Sequence, residues 1–160
     1  MTNLIAILLV TILVLIPNLS YAELAPDFSL KTQQGHNLRL AEQRGDIIVL
    51  NFWASWCGPC LQEMPKLNQL AEKYQDLGVQ VWGVNVENDN AAAQAYLAKL
   101  PVNFPILFDS ENVVSKAYAV KAMPTTVIIN KDGNVSAVHF GYQSGYEKKY
   151  ENDIKKLLRE

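Results

Sequence analysis

Residues 46–65, DIIVLNFWASWCGPCLQEMP, decide the fold of this chain. The first nine positions are almost all apolar and rich in β-branched side chains, which is typical of a central strand buried on both faces. After the Trp-Cys-Gly-Pro-Cys run at 56–60, apolar residues recur at the spacing of an amphipathic helix as far as residue 77. The sequence therefore predicts that Cys57 and Cys60 lie where a buried strand ends and a helix begins.

This placement predicts a reactive first thiol. A cysteine at a helix N-terminus faces unpaired backbone N–H groups and the positive end of the helix dipole, both of which favour the thiolate that attacks disulfides. Of the two intervening residues, Gly58 and Pro59, the proline is tolerated because its missing N–H has no intrahelical partner in the first turn. We expect Cys57 to be exposed and nucleophilic, and Cys60 to be more buried and to resolve the mixed disulfide.

Other uses of a cysteine pair fit this sequence poorly. A zinc site would need two further ligands, and the two histidines, His36 and His139, lie far from the motif in sequence. Haem attachment would need a histidine directly after the second cysteine, where Leu61 stands. A purely structural disulfide across so short a loop would constrain the unfolded chain little. The pattern favours a redox-active dithiol that uses no metal and no bound cofactor.

The remainder of the chain predicts an α/β domain around this junction. Upstream, residues 26–40 predict a short N-terminal β-hairpin. The elements predicted downstream are a strand at 79–86, a helix at 88–100, a strand at 106–108, a helix capped by Asp109 or Ser110, two strands at 125–130 and 134–140, and a last helix that starts at a Ser144-x-x-Glu147 capping box. This order predicts a central mixed sheet flanked by helices on both faces.

The N-terminal segment predicts export. Residues 1–22 contain no Asp, Glu, Lys or Arg, and the apolar run at 4–16 is short beside the roughly 20 residues of a spanning helix. A proline ends this run, and Ser20 and Ala22 place small residues at the −3 and −1 positions of a cleavage site. We expect a signal peptide at 1–22 and one domain at 23–160. The alternative is an uncleaved membrane anchor, because the first residues lack Lys and Arg.

Composition excludes several function classes. The chain has 160 residues, 14 basic and 16 acidic side chains and a net charge of −2, which argues against a general nucleic-acid binder. Its two cysteines are too few for a disulfide scaffold, or for a four-sulfur zinc or iron–sulfur site without other ligands.

The motif and its surroundings resemble the thioredoxin superfamily, and the likeness extends along nearly the whole chain after residue 22. WCGPC follows a strand that reads VLNFWAS, and Met123-Pro124-Thr125-Thr126 matches the cis-proline loop of that superfamily. The resemblance implies a thioredoxin-like fold in which Pro124 is cis and the loop lies against the disulfide. It also implies a docking surface for extended substrate peptides that includes Trp56, Met123 and Thr125.

Three positions narrow the resemblance to one group within the superfamily. Asn51 stands where thioredoxins have a buried Asp beneath the dithiol, and Gly83 stands where they have its Lys partner. Glu63 lies one helical turn beyond Cys60, where it can hydrogen-bond or exchange a proton with the second thiol. The alternative for Glu63 is a surface carboxylate stabilised by the helix dipole. Together with APDFSL at 25–30, these features resemble the TlpA/ResA/DsbE group of exported thioredoxin-like proteins.

That resemblance implies a periplasmic thiol–disulfide oxidoreductase that reduces protein disulfides, and Gly58 and Pro59 match the reducing thioredoxins. The implied partners are protein disulfide substrates, apocytochrome c among them, and a membrane electron donor of the DsbD or CcdA type. Two alternatives stay open. One is a peroxiredoxin-like antioxidant, although the Pro-x-x-x-Thr-x-x-Cys pattern of such proteins is absent. The other is a non-enzymatic peptide-docking module on the same fold, which the intact CGPC motif disfavours.

Overall fold

The computed structural model of the chain describes residues 23–160, so the predicted signal peptide or anchor at 1–22 lies outside the described residues. The strands of this part are β1 (Ser29–Lys31), β2 (Asn37–Arg39), β3 (Ile47–Trp53), β4 (Val79–Asn85), β5 (Ile106–Phe108), β6 (Thr125–Ile129) and β7 (Val135–Phe140). Its α-helices are α1 (Gly58–Tyr74), α2 (Ala91–Lys99), α3 (Val113–Ala117) and α4 (Glu147–Leu157). None of these helices in residues 23–160 is long and apolar enough to cross a membrane.

The central sheet has five strands in the order β5-β4-β3-β6-β7. β3 pairs in parallel with β4 on one side and antiparallel with β6 on the other, so the sheet is mixed as predicted. Every residue of β3 is buried, because side chains pack against both of its faces. β1 and β2 form a separate antiparallel hairpin, which confirms the N-terminal prediction.

The sheet separates two hydrophobic cores. On one face, alternate residues of β3 such as Val49 and Trp53 pack with α1, α2 and α4. On the other face, residues such as Leu50 and Phe52 pack with the hairpin residue Phe28 and with α3. This alternation along one strand places helices on both faces, which confirms the predicted fold class.

Helix α1 begins where the sequence predicts, directly after Cys57. That residue is the N-cap, and its Sγ accepts the backbone N–H of Cys60 at 3.2 Å. The start of α4 differs from the prediction. This helix begins at Glu147, whose carboxylate accepts the Gly145 N–H and the Tyr142 hydroxyl, each at 3.0 Å. The predicted capping box from Ser144 is therefore wrong, because the carboxylate at 147 bonds to a nearby glycine and tyrosine instead.

Candidate active site

The two cysteines form a disulfide at the N-terminus of α1, with their Cα atoms 5.3 Å apart. Cys57 is the more accessible of the two, as expected, but only 5% of its surface is exposed against 1% for Cys60. The first thiol is less open than predicted because Cys57 packs into the helix-side core, against which Met123 of the neighbouring loop also packs.

The loop before β6 carries a cis peptide bond between Met123 and Pro124, as the resemblance implied. Hydrogen bonds fix the backbone both before and after the cis bond. The carbonyl oxygen of Pro124 accepts the N–H of Gly141 at 2.7 Å, and the Thr125 hydroxyl donates to the carbonyl oxygen of Ala122 at 2.7 Å. Thr125 is fully buried, so its side chain stabilises the loop from beneath and does not line an open surface.

A groove of about 420 Å³ extends between Trp56, which directly precedes Cys57, and the cis-proline loop. Trp56, which is 70% exposed, and Met123 contribute to its wall, together with Val86 and Val120. Lys121 adds a positive charge at the same groove. The structure thus brings two of the three predicted substrate-binding residues to one surface next to Cys57, and buries the third, Thr125, behind it.

Glu63 lies in the protein interior with no exposed surface, so the alternative of a surface carboxylate is wrong. Within residues 23–160, three side chains from three different elements donate hydrogen bonds to it. The donors are the Asn51 amide at 2.9 Å, the Thr126 hydroxyl at 3.0 Å and the Tyr150 hydroxyl at 2.7 Å. The amide of Asn51 also donates to the Thr126 hydroxyl at 2.9 Å, which joins the cluster together. We call Glu63 and these three residues the carboxylate cluster.

Burial dominates the electrostatics of this cluster. It raises the pKa of Glu63 above the ordinary value of 4.5, although the three hydrogen bonds act in the opposite direction. Burial and the nearby Glu63 also raise the pKa of Tyr150. A carboxyl group so placed, one helical turn beyond Cys60, keeps its proton to a higher pH than a solvated one and is a candidate for proton exchange with that thiol.

The structure explains why a lysine does not stand at position 83. Gly83 is the β4 partner of Asn51, as expected of the two substituted positions. A Cβ atom built on Gly83 would lie 2.7 Å from Ile106 Cδ1 and 3.2 Å from Phe104 Cε2. The two apolar side chains therefore occupy the space that a lysine would need, and the acidic group of this site comes from α1 instead of β3.

A second carboxylate, Glu87, was missed in the sequence. Its oxygens accept the Ser55 backbone N–H at 2.7 Å, the Ser55 hydroxyl at 2.8 Å and the Asn85 amide at 2.8 Å. These bonds tie the end of β4 to the turn that leads from β3 into Trp56. A usable signal existed: the carboxyl ends of parallel neighbouring strands meet at one sheet edge, so a polar residue after β4 is expected near the turn after β3.

The two histidines bond to side chains other than the cysteines. His36 bonds to Thr32 in the hairpin, whereas His139 pairs with Asp153 at 2.8 Å and packs against Tyr150 with ring centroids 4.9 Å apart. In the part of the chain that the structure describes, no group of three or more His, Cys, Asp and Glu side chains is arranged to hold a metal ion.

Comparison with known proteins shows which family this chain matches. The AhpC/TSA family model matches residues 22–138. The thiol-disulfide oxidoreductase ResA of Geobacillus kaustophilus is 39% identical over 117 residues, which cover 73% of this chain and 67% of that protein.

Two solved structures are also similar to this chain. A Chlorobium tepidum crystal structure described as a thiol:disulfide interchange protein DsbE is 36% identical, with a TM-score of 0.82 over 86% of this chain and 96% of the other. The exposed lipoprotein thioredoxin of Streptococcus pneumoniae is 28% identical, with a TM-score of 0.74 over 82% of this chain and 100% of the other.

Proposed function

Because the chain belongs to the AhpC/TSA family, as a thiol–disulfide oxidoreductase of the ResA and DsbE type, we propose that it is an exported reductant of protein disulfides. The observation that carries this proposal is the Cys57–Cys60 pair at the start of α1, beside a groove formed in part by Trp56 and the cis-proline loop. A peptide disulfide docked in this groove would lie next to the first sulfur.

In the proposed reaction the reduced Cys57 thiolate attacks one sulfur of the substrate disulfide, and the other substrate sulfur leaves as a thiolate and takes up a proton. Cys60 then attacks the Cys57 sulfur, which releases the second substrate sulfur as a thiolate that takes up a proton from solvent, and leaves the Cys57–Cys60 disulfide. Two electrons pass from the protein to the substrate, so no bound cofactor is needed. Glu63 accepts the proton that the Cys60 thiol loses as it attacks, and returns a proton when the pair is reduced again.

Export is supported by the uncharged apolar segment at 1–22, and by the likeness to a protein described as an exposed lipoprotein thioredoxin. We propose the periplasm as the location, with the chain either cleaved after Ala22 or tethered by its N-terminal segment. A reductant outside the cytosol must be recharged, and a membrane carrier of the DsbD or CcdA type would supply the electrons. Apocytochrome c is a proposed substrate.

The direction of electron flow is supported by Gly58 and Pro59, which match the reducing thioredoxins. Thioredoxin has a potential of about −270 mV, against about −120 mV for a strong oxidant, a difference large enough to set direction. We expect a value on the reducing side. A measured potential above about −180 mV would instead favour an oxidase or isomerase.

A trapping experiment tests the proposal. Cys60→Ser removes the resolving thiol, so substrates are expected to stay bound to Cys57 as mixed disulfides in the exported fraction, where they can be identified by mass spectrometry. The matched control is the double variant Cys57→Ser/Cys60→Ser, which should retain nothing. The wild type should reduce insulin and show no peroxide turnover. Absence of mixed disulfides together with no insulin reduction would contradict the proposal and favour a docking module, and peroxide turnover would favour an antioxidant.

A further inference from the structure

The third donor to Glu63 comes from the far end of the chain. Tyr150 lies on α4, is completely buried, and donates its hydroxyl to Glu63 Oε1 at 2.7 Å. This is the shortest of the hydrogen bonds found at that carboxylate. A hydrogen bond to a charged acceptor is stronger than one between neutral groups, and a phenol is a more acidic donor than the amide of Asn51 or the hydroxyl of Thr126.

A second buried tyrosine in the same core provides a comparison. Tyr74 of α1 belongs to the same hydrophobic cluster as Tyr150, yet within residues 23–160 its hydroxyl has no hydrogen-bond partner. Burial in this core therefore does not by itself supply a partner for a tyrosine hydroxyl. The contact between Tyr150 and Glu63 is a specific one.

The ring of Tyr150 is held from its other side. His139 of β7 packs against it with centroids 4.9 Å apart and the ring planes tilted by 57°, and Asp153 of α4 fixes that imidazole through a 2.8 Å contact. A ring packed in this way keeps its hydroxyl directed at Glu63 Oε1 with little loss of rotamer freedom on forming the bond. The phenol is thus a preorganised donor.

Other titratable groups face the same cluster. Burial raises the pKa of Glu63, and the like charge of Glu147 adds to this effect. Burial also raises the pKa of Tyr142, and the charge of Glu63 contributes to that increase. Asn51 and Thr126, from β3 and β6, are neutral at every relevant pH. Tyr150 is therefore the titratable group that bonds directly to Glu63, while Glu147 and Tyr142 act on it from farther away.

We propose that Tyr150 is a positioning residue for the thiol chemistry: its hydroxyl holds the Glu63 carboxylate in the orientation and ionisation state that receive the proton of Cys60. This inference rests on the proton-accepting role of Glu63 in the proposed function. Loss of the phenol hydroxyl removes a donor that favours the ionised carboxylate, so Glu63 stays protonated to a higher pH and is unavailable as a base over that interval.

The experiment follows the resolving step alone. Excess dithiobis-nitrobenzoate is mixed with the reduced protein, so that Cys57 releases one coloured thiolate on attack and Cys60 releases the second on resolution. The rate of the second phase is measured against pH. In Tyr150→Phe we expect the midpoint of this profile to move up by about one to two pH units, the size expected for a lost hydrogen bond to a charged group.

Two variants serve as references. Tyr74→Phe also removes a buried hydroxyl but leaves the carboxylate untouched, so its profile should match the wild type. Glu63→Gln should remove the step that the carboxylate causes and leave only the rise that follows ionisation of the Cys60 thiol itself. If Tyr150→Phe does not fold, a ring-fluorinated tyrosine at position 150, which has the same shape and is a stronger donor, should move the midpoint to lower pH.

The outcomes separate the two proposals. Loss of the carboxylate step in Glu63→Gln together with an unshifted profile in Tyr150→Phe or in the fluorinated protein would overturn the role of Tyr150 and leave that of Glu63 standing. A wild-type profile in Glu63→Gln would overturn both. A shift in Tyr74→Phe equal to that in Tyr150→Phe would show that any loss of a buried hydroxyl has this effect, and would also overturn the role of Tyr150.

Discussion

Two Glu–Asn pairs lie near the dithiol, towards the carboxyl ends of the adjacent parallel strands β3 and β4. In the first, Asn51 donates to Glu63 at 2.9 Å, and in the second, Asn85 donates to Glu87 at 2.8 Å. Both asparagines are buried, and the bond lengths are nearly equal. The pairs differ in what surrounds the carboxylate, and that difference separates a group suited to proton transfer from one that shapes a loop.

Glu63 is fully buried and, among the partners found in residues 23–160, its carboxylate bonds to side chains alone, whereas Glu87 is half-buried and also accepts a backbone N–H from Ser55. Water that reaches a carboxylate stabilises its charge, and removing that water raises its pKa. Burial raises the pKa of Glu63 in this way. The same two residue types therefore serve different purposes because one carboxylate has lost its hydration and the other has kept part of it.

The largest difference between the pairs is expected when each asparagine becomes an aspartate. Asn51→Asp places a second carboxyl beside buried Glu63 and removes a donor, so one proton must be shared. We expect the free energy of unfolding at neutral pH to fall by about 3 kcal/mol. Asn85→Asp should cost about 1 to 2 kcal/mol, since solvent reaches Glu87. Urea denaturation of the oxidised proteins measures both, and equal losses would contradict the contrast.

A smaller difference is expected in the pH dependence of stability. The pKa of Glu63 is higher in the folded than in the unfolded protein, so the folded state binds more protons and its stability falls as pH rises from about 4.5 through the folded pKa. Glu63→Gln should flatten this part of the curve. Glu151, whose pKa the Lys73 hydrogen bond lowers, acts only below this window. Urea denaturation at a series of pH values from 4.5 upwards measures how the free energy of unfolding changes with pH. If Glu63→Gln kept the same decrease, Glu63 would not be its cause.

The smallest effect is expected in the loop. Ser55→Ala removes the hydroxyl bond to Glu87 at 2.8 Å but leaves the backbone bond in place. We expect a loss of about 1 kcal/mol or less in the free energy of unfolding. The pH midpoint of the resolving step should stay at the wild-type value, because Glu63 is untouched. A shifted midpoint would show that the two carboxylates are coupled, and that the contrast between them is false.

Local signals predicted much of the fold. The apolar β-branched run of β3, the stripe of α1 and the position of Cys57 as its N-cap each depend on neighbours within one or two turns. The start of α4 was predicted less well, because the carboxylate of Glu147 bonds to Tyr142 and Gly145 in a way that the spacing of Ser144 does not reveal.

The residues of the candidate site also fall into two groups, those that local motifs predict and those that depend on distant contacts. Cys57, Cys60 and the cis bond before Pro124 were all expected from short motifs. Glu87 was missed because its partner Ser55 lies 32 residues away in sequence. Thr125 was expected at the docking surface, but the side chain at the start of β6 points into the protein and leaves the groove to its neighbours.

The sequence by itself determined that two thiols stand at a strand–helix junction, because that arrangement needs only local periodicity and the two-residue spacing between Cys57 and Cys60. The environment of Glu63 was decided by the tertiary structure. From sequence it could be either a surface carboxylate or a partner of the dithiol, and the packing of α4 and β6 over α1 excluded the surface. Its proton affinity depends on lost hydration and on donors as distant as Tyr150, 87 residues along the chain, and such distances enter only when the chain folds.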